Sequence, residues 1–235
     1  MGNNFSEKNY FEKIWVKSRE NLLKGNVIPV NFVKNKIIPL DYTLATVAII
    51  QHQKINPLIR IADVQRRLIS IDSSHYYYPF QDLHITLIGT TQRHKDCQLL
   101  RKKIKKIQRL CRRVLTPDYG CIEMNVHGVN LIGSSVFLQV YPGDKKFKTL
   151  RSNLLLLLKE HNEAPIEFTD TQYFHMNIMK LTHKDSKKLR KLAEEISNLR
   201  NVEIGKLVID NIEMIIADRI MSTSETIFIK KFNLC

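Results

Sequence analysis

Two short apolar stretches of the sequence each carry a histidine and, two residues later, a second polar side chain. In the first stretch, residues 83–88, apolar residues alternate with His84 and Thr86. Side chains at positions i and i+2 of a β-strand leave on the same face, about 6.6 Å apart along the backbone. His84 and Thr86 are therefore predicted to point the same way from a buried strand.

The second stretch, residues 173–179, has the same form and places His175 and Asn177 on one face. A single histidine in an apolar strand is more often a hydrogen-bonded core residue than a catalyst, and threonine is common in strands. The pairing favours a functional interpretation, because two of the eight histidines occupy matched strands 91 residues apart.

Two imidazoles brought over one bound group are suited to general acid and base catalysis on a phosphate ester. Imidazole titrates near neutral pH, so one ring accepts a proton while the other donates one. Thr86 and Asn177 are predicted to donate hydrogen bonds to non-bridging phosphate oxygens. The sequence has no HExxH motif, no Cys/His cluster, no Walker A loop and no GxGxxG or GxSxG motif. We therefore expect no metal and no other cofactor, while the assignment of base and acid stays open.

The elements that must position these residues follow a repeating order of helices and strands. Strands are predicted at 42–50, 121–131, 135–141 and 226–234, besides the two His strands, with one long or two short strands at 202–216. Helices are predicted at 6–23 (capped by Ser6), 59–71, 98–115, 144–162 and 185–199, and residues 25–40 read as an extended connection. This order predicts an α+β fold whose two lobes place antiparallel sheets on either side of a central groove.

The two motifs resemble those of a known family. His84-Ile85-Thr86-Leu87 resembles the first H-x-[TS]-h motif of the two-histidine phosphoesterase superfamily, which includes 2′-5′ RNA ligase-like proteins and cyclic nucleotide phosphodiesterases, and residues 175–178 resemble the second. The resemblance covers about residues 42–234. Asn177 departs from the family pattern, which usually has Thr or Ser there.

The resemblance implies two RRM-like lobes related by a pseudo-two-fold axis, with both His strands in the central groove. It also implies metal-independent cleavage of RNA-type phosphodiesters, namely 2′,3′-cyclic phosphates, 2′-5′ linkages or oligonucleotide 3′ ends. On this basis we predict an N-terminal helical extension, 1–40, followed by a bilobal phosphoesterase-like domain, 41–235.

Two further features suit an RNA-type substrate. Four aromatic residues precede the first His strand and are candidates for stacking on bases: Tyr76, Tyr77, Tyr78 and Phe80. The alternative is that some of them anchor the core. The helix at 98–115 is basic on most of its surface and is a candidate for contacting a phosphate backbone, with a solvated helix face as the alternative.

The net charge of +14, from 37 Lys and Arg against 23 Asp and Glu, indicates polyanionic partners. RNA or a nucleotide comes first and an anionic membrane surface second, and no obligate protein partner is inferred. Hydrophobic residues make up 43% of the chain, which suits a globular core, and no apolar run is long enough to span a bilayer.

The cysteine pattern and the N-terminus bear on location. None of the four cysteines forms a CxxC pair, and all four are predicted to be reduced thiols of an intracellular, cytoplasmic protein without a secretory signal. The first six residues fit the loose M-G-x-x-x-[ST] pattern for myristoylation of Gly2, although an ordinary start is the favoured interpretation.

Three classes of function remain after these observations. The leading one is a phosphodiesterase that uses His84 and His175. The second is an RNA-binding or nucleotide-binding relative with weak chemistry, for which Asn177 would be the sign. The third is a basic effector held at a membrane by an acylated Gly2 and the basic helix.

Overall fold

The computed structural model describes residues 3–30, 41–91, 93–163 and 173–235, with the side chains of residues 3–7 and 223 left out. The candidate acylation at Gly2 and most of the predicted extended connection, residues 31–40, lie outside these ranges. The described ranges contain five α-helices: α1 Asn3–Leu23, α2 Leu58–Ile69, α3 Cys97–Val114, α4 Lys146–Glu160 and α5 Ser186–Leu199. They also contain nine strands: β1 Thr43–Ile49, β2 Tyr76–Tyr77, β3 His84–Gly89, β4 Ile122–Ile132, β5 Ser135–Pro142, β6 Phe174–Lys180, β7 Glu203–Ile209, β8 Asn211–Ala217 and β9 Ile227–Asn233.

Most predicted elements are confirmed within a few residues. Helix α1 begins at Asn3, so Ser6 lies inside the helix and the predicted cap at Ser6 is wrong. The run at 202–216 forms two strands, β7 and β8, which are separated by Asp210. Strand β2 is only two residues long and was not predicted from the sequence.

The strands form two antiparallel sheets that confirm the mixed α and β composition. One sheet has the order β3-β1-β8-β9 and the other has the order β2-β6-β5-β4-β7. Each sheet therefore takes strands from both halves of the chain, because β8 and β9 return to pair beside β1. One His strand belongs to each sheet.

Alternation along the His strands decides which side chains reach the core. On β3, Ile85 and Leu87 are fully buried in the main hydrophobic cluster, together with residues of α3 such as Leu100. Because successive side chains of a strand point to opposite faces, His84 and Thr86 leave from the other face of the sheet. The basic helix α3 thus packs behind the four-stranded sheet, on the face opposite His84.

Helix α1 packs on the face of the five-stranded sheet that carries His175. The ring of Phe11 is buried and lies 6.0 Å from the ring of Phe137, which in turn lies 5.2 Å from the ring of His175. The guanidinium of Arg200 lies 5.4 Å from the centre of the Trp15 ring and adds a cation–π contact. The helix is therefore part of the folded body, and the division into 1–40 and 41–235 stays a proposal.

Two of the four cysteines form a disulfide, so the prediction that all four are thiols is wrong. Cys121, just before β4, is bonded to Cys235, which follows β9, across a sequence separation of 114 residues. Only the fold brings these positions within 5.2 Å between Cα atoms, so their spacing in the sequence gave no sign of it. Cys97 and Cys111 lie on α3 and are free thiols. Cysteine usage no longer supports an intracellular location.

Candidate active site

The two His motifs line one cavity of about 250 Å³. His84 and Thr86 reach it from β3, and His175 and Asn177 reach it from β6. All four residues that the sequence singled out for catalysis and phosphate binding are thereby brought together.

His84 is held in one tautomer by its own strand. Its Nδ1 lies 2.7 Å from the backbone oxygen of Asp82. Because a carbonyl oxygen only accepts hydrogen bonds, Nδ1 carries the proton, and Nε2 of the neutral ring is left as an acceptor. Burial lowers the pKa of His84, and the hydrogen bond to Asp82 opposes that shift without cancelling it. His84 is therefore oriented and neutral at neutral pH.

His175 has a different environment. Its ring meets the edge of Phe137 and makes no hydrogen bond within the described part of the chain. Burial lowers the pKa of His175 to about 4, and positive charge on His84, Lys180 and Arg151 acts in the same direction. The side chain is nevertheless solvent-exposed, so water at the ring offsets part of this desolvation.

Thr86 and Asn177, the polar partners in the two motifs, both line the cavity. Thr86 is half-buried, and its hydroxyl makes no hydrogen bond to the described residues. The Oδ1 atom of Asn177 is buried and has no partner in the same ranges.

Four cations that sequence reasoning missed also line the cavity: Arg93, Arg151, Lys180 and Arg219. Burial lowers the pKa of Lys180 to about 8, with Arg93 contributing, and the Lys180 ammonium donates to Ser135. Arg151 on α4 also lies 5.3 Å from the centre of the Phe174 ring. The four residues come from separate segments, so no local pattern could have shown that they converge.

The lining residues of the cavity include no carboxylate among the part of the chain that the structure describes. Two imidazoles, a hydroxyl, an amide and four cations make a site that favours an anion over a metal ion.

The four predicted stacking residues occupy different environments. Tyr78 lines the cavity but is only 2% exposed. Tyr76 and Tyr77 are half-buried, and their hydroxyls donate to Asp82 and to the backbone of Asp72. Phe80 is 40% exposed and lies in a short 3₁₀ turn just before β3. Among the four, Phe80 therefore offers the most open ring.

A second cluster of ionisable groups lies beside β2 and was not found from the sequence. Asp72, His75 and His183 place one ligating atom each within 4.8 Å of one another. The ammonium of Lys188 already lies 3.2 Å from Oδ1 of Asp72. The backbone N–H of Thr182 donates to Nδ1 of His75, which places the proton of the neutral ring on Nε2, facing Asp72. The cluster is better explained as a hydrogen-bonded ion-pair network than as a metal site.

Helix α3 does not flank the cavity, although it is strongly basic. It lies behind the four-stranded sheet, and Lys103 and Lys106 each lie 2.9 Å from the carboxylate of Glu163. The alternative of a solvated helix face therefore suits this element better than contact with a phosphate at the cavity. No helix in the described ranges is long and apolar enough to cross a membrane.

Comparison with known proteins finds similarity only at the level of structure. No family model and no curated protein sequence matches the chain. The protein TT0787 of Thermus thermophilus superposes with a TM-score of 0.56 at 12% identity, covering 83% of this chain and 97% of that chain. LigT of E. coli complexed with 3′-AMP gives a TM-score of 0.49 at 12% identity, covering 83% and 98%.

The superposition on TT0787 confirms the predicted resemblance as a likeness of fold. At 12% identity or less the comparison shows the fold alone, so the activity of this chain has to be argued from its own residues.

Proposed function

We propose that the protein is a metal-independent phosphodiesterase that cleaves RNA-type esters by two-histidine acid and base catalysis. The substrates in view are 2′,3′-cyclic phosphates, 2′-5′ linkages and oligonucleotide 3′ ends. The observation that supports this most is the convergence of His84 and His175 in one cavity with four cations and no carboxylate among its described lining residues. This donor set matches the charge of a phosphodiester and of its pentacoordinate transition state.

The hydrogen bond of His84 supports its assignment as the general base. The Nδ1–H group is committed to the carbonyl of Asp82, so Nε2 is oriented and ready to accept a proton from water or a ribose hydroxyl. His175 would then be the acid that protonates the leaving oxygen. A bound phosphodiester carries negative charge, which raises the pKa of both imidazoles and favours the protonated His175 that this role needs.

The remaining groups of the cavity would stabilise charge on the phosphoryl oxygens. Thr86 and Asn177 line the cavity and would donate hydrogen bonds to these oxygens, and Arg93, Arg151 and Lys180 would supply positive charge. The finer description of the fold, two RRM-like lobes with pseudo-two-fold symmetry, belongs to this proposal, since each sheet supplies one His strand.

The test is hydrolysis of nucleoside 2′,3′-cyclic phosphates and of short 2′-5′ and 3′-5′ oligonucleotides by the purified chain, with and without EDTA. We expect turnover of at least one ester class that EDTA leaves unchanged, and loss of turnover in His84→Ala and His175→Ala. His161→Gln is a matched control, because His161 lies at the end of α4 and does not line the cavity. Turnover that EDTA abolishes would overturn the mechanism.

A second candidate function is nucleotide binding with weak chemistry. Two observations favour it: the buried Oδ1 of Asn177 has no partner among the described residues, and His175 has a lowered pKa. This version predicts salt-sensitive oligonucleotide binding without turnover. Activity gained in Asn177→Thr would support it, and efficient turnover by the unmodified chain would exclude it.

A further inference from the structure

A second cavity lies against the same sheet as His84 and adjoins the two-His cavity. It encloses about 540 Å³, which falls in the size range of small-molecule sites. Met221 lines both cavities, and Ile49, in the wall of the second, is the register partner of His84 on the neighbouring strand. A group bound in the second cavity would therefore sit beside a phosphate held at the histidines.

The floor of this second cavity is apolar and carries an open aromatic ring. Ile49 and Ile215 are buried in the sheet and form part of the floor. Phe228 on β9 lines the same cavity with 56% of its surface exposed. A large aromatic side chain left this open beside a phosphate-sized site offers a flat surface on which a base can stack.

The polar edge of the cavity has an acceptor and a donor on adjacent strands. Glu213 is only 5% exposed, and its Oε1 accepts a hydrogen bond from Nδ1 of His52 at 2.7 Å, which fixes the carboxylate. Lys231 is the register partner of Glu213 on β9 and lines the same cavity. A carboxylate that can accept and a lysine that can donate hydrogen bonds therefore come from paired positions on adjacent strands and line the same apolar cavity.

We propose that this second cavity binds a guanine base, the base of the nucleoside whose phosphate is held by His84 and His175. Guanine places the O6 acceptor next to the N1–H and N2–H donors along one edge, which matches Lys231 beside Glu213. Adenine and cytosine offer the carboxylate only one amino group, and the ring nitrogen beside that group is an acceptor that a carboxylate repels. Uracil offers only one N–H donor, which lies between two carbonyl acceptors. Phe228 stacks on the ring and His52 positions Glu213. The proposal rests on the proposed phosphodiesterase function, for which it names the base specificity.

The test compares kcat/KM for the 2′,3′-cyclic phosphates of guanosine, inosine, adenosine, cytidine and uridine. Inosine differs from guanosine only in lacking the N2 amino group, so it loses one hydrogen bond to Glu213. We expect guanosine to exceed inosine about tenfold or more, since a hydrogen bond to a charged group contributes that much. Equal values for all five substrates would overturn the base assignment and leave the phosphodiesterase proposal standing.

Three variants and one control locate the effect. Glu213→Gln keeps an acceptor for His52 but loses the charge, and it should reduce the preference for guanosine over inosine. Phe228→Leu, at a position where more than half of the side chain is exposed, should raise KM for every nucleoside by a similar factor. Lys230→Gln is the control for Lys231→Gln, because the two lysines are neighbours on β9 and only Lys231 lines the cavity. Unchanged base preference in Glu213→Gln and Lys231→Gln, with thermal unfolding as in the parent, would refute the site.

A binding measurement separates this site from the catalytic proposal. Guanosine 3′-monophosphate and inosine 3′-monophosphate are titrated by calorimetry into the full chain and into Glu213→Gln. Tighter binding of the guanosine nucleotide that Glu213→Gln removes would support the base site even if no ester is turned over. Equal binding of the two nucleotides, or no binding of either, would overturn it.

Discussion

Replacing His84 by asparagine would separate the chemistry of the imidazole from its structural role. The Nδ2 amide of His84→Asn takes the place of Nδ1–H and keeps the hydrogen bond to the carbonyl of Asp82, but nothing replaces Nε2. A positioned general base contributes about 10²- to 10⁴-fold to the rate. That range corresponds to about 2.7–5.5 kcal/mol of transition-state stabilisation. We therefore expect kcat to fall by this factor in His84→Asn while KM changes little.

Truncation to alanine has a different signature. His84→Ala loses the hydrogen bond to Asp82, which contributes about 1 kcal/mol to stability, and leaves space where a side chain that was 7% exposed had packed. The alanine variant should thus lose activity and unfold at lower urea concentration, whereas His84→Asn should lose activity alone.

The assay is steady-state hydrolysis of a nucleoside 2′,3′-cyclic phosphate, paired with urea unfolding of each variant. His84→Asn that keeps more than a tenth of the parent kcat would refute the assignment of Nε2 as the base. A similar loss of stability in both variants would refute the claim that the Asp82 hydrogen bond orients the ring.

The pKa values of His84 and His175 are both lowered, so both rings lose their proton below the ordinary histidine pKa. Because one ring must be protonated for catalysis, kcat/KM should peak below pH 6.5 and fall about tenfold for each further unit of pH above the peak. A plateau of kcat/KM that extends to pH 8 would contradict this. Lys180→Met removes a positive charge that lowers the pKa of His175. The fall of kcat/KM at high pH should therefore begin at a higher pH in this variant, and KM should rise. Lys180→Arg keeps the charge and should leave the dependence of kcat/KM on pH unchanged. Reduction of the Cys121–Cys235 bond should lower the free energy of unfolding by about 2–4 kcal/mol, because the bond closes a long loop. The measurement is urea unfolding with and without dithiothreitol, and identical unfolding curves would show that the bond does not form in solution.

The two His strands were predictable because their signal is local. Side chains of a strand alternate between its two faces, so the sequence around His84 and around His175 shows which side chains share a face. In both strands the histidine and the polar residue after it lie on one face, and the apolar residues between them lie on the other. The predicted strands match β3 and β6 closely for this reason. Helix bounds followed from the longer apolar period, and Pro117 lies shortly after the end of α3.

Features that depend on contacts between distant segments were not predictable. Arg93 and Arg151 reach the cavity from a loop and a helix, and no spacing rule connects them with His84. The bond between Cys121 and Cys235 requires that β4 and β9 already be placed. The basic surface of α3 was visible in the sequence, but its position behind the sheet depends on which face of the sheet the helix covers.

The central claim is that His84 and His175 act on one phosphoryl group. A crystal structure of the chain with bound phosphate tests it directly. We expect one anion in the cavity, with Nε2 of His84 and a ring nitrogen of His175 each within about 3.2 Å of its oxygens and with Thr86 and Asn177 also in contact. An anion that contacts only one of the two imidazoles, or that binds elsewhere while the cavity holds only water, would contradict it.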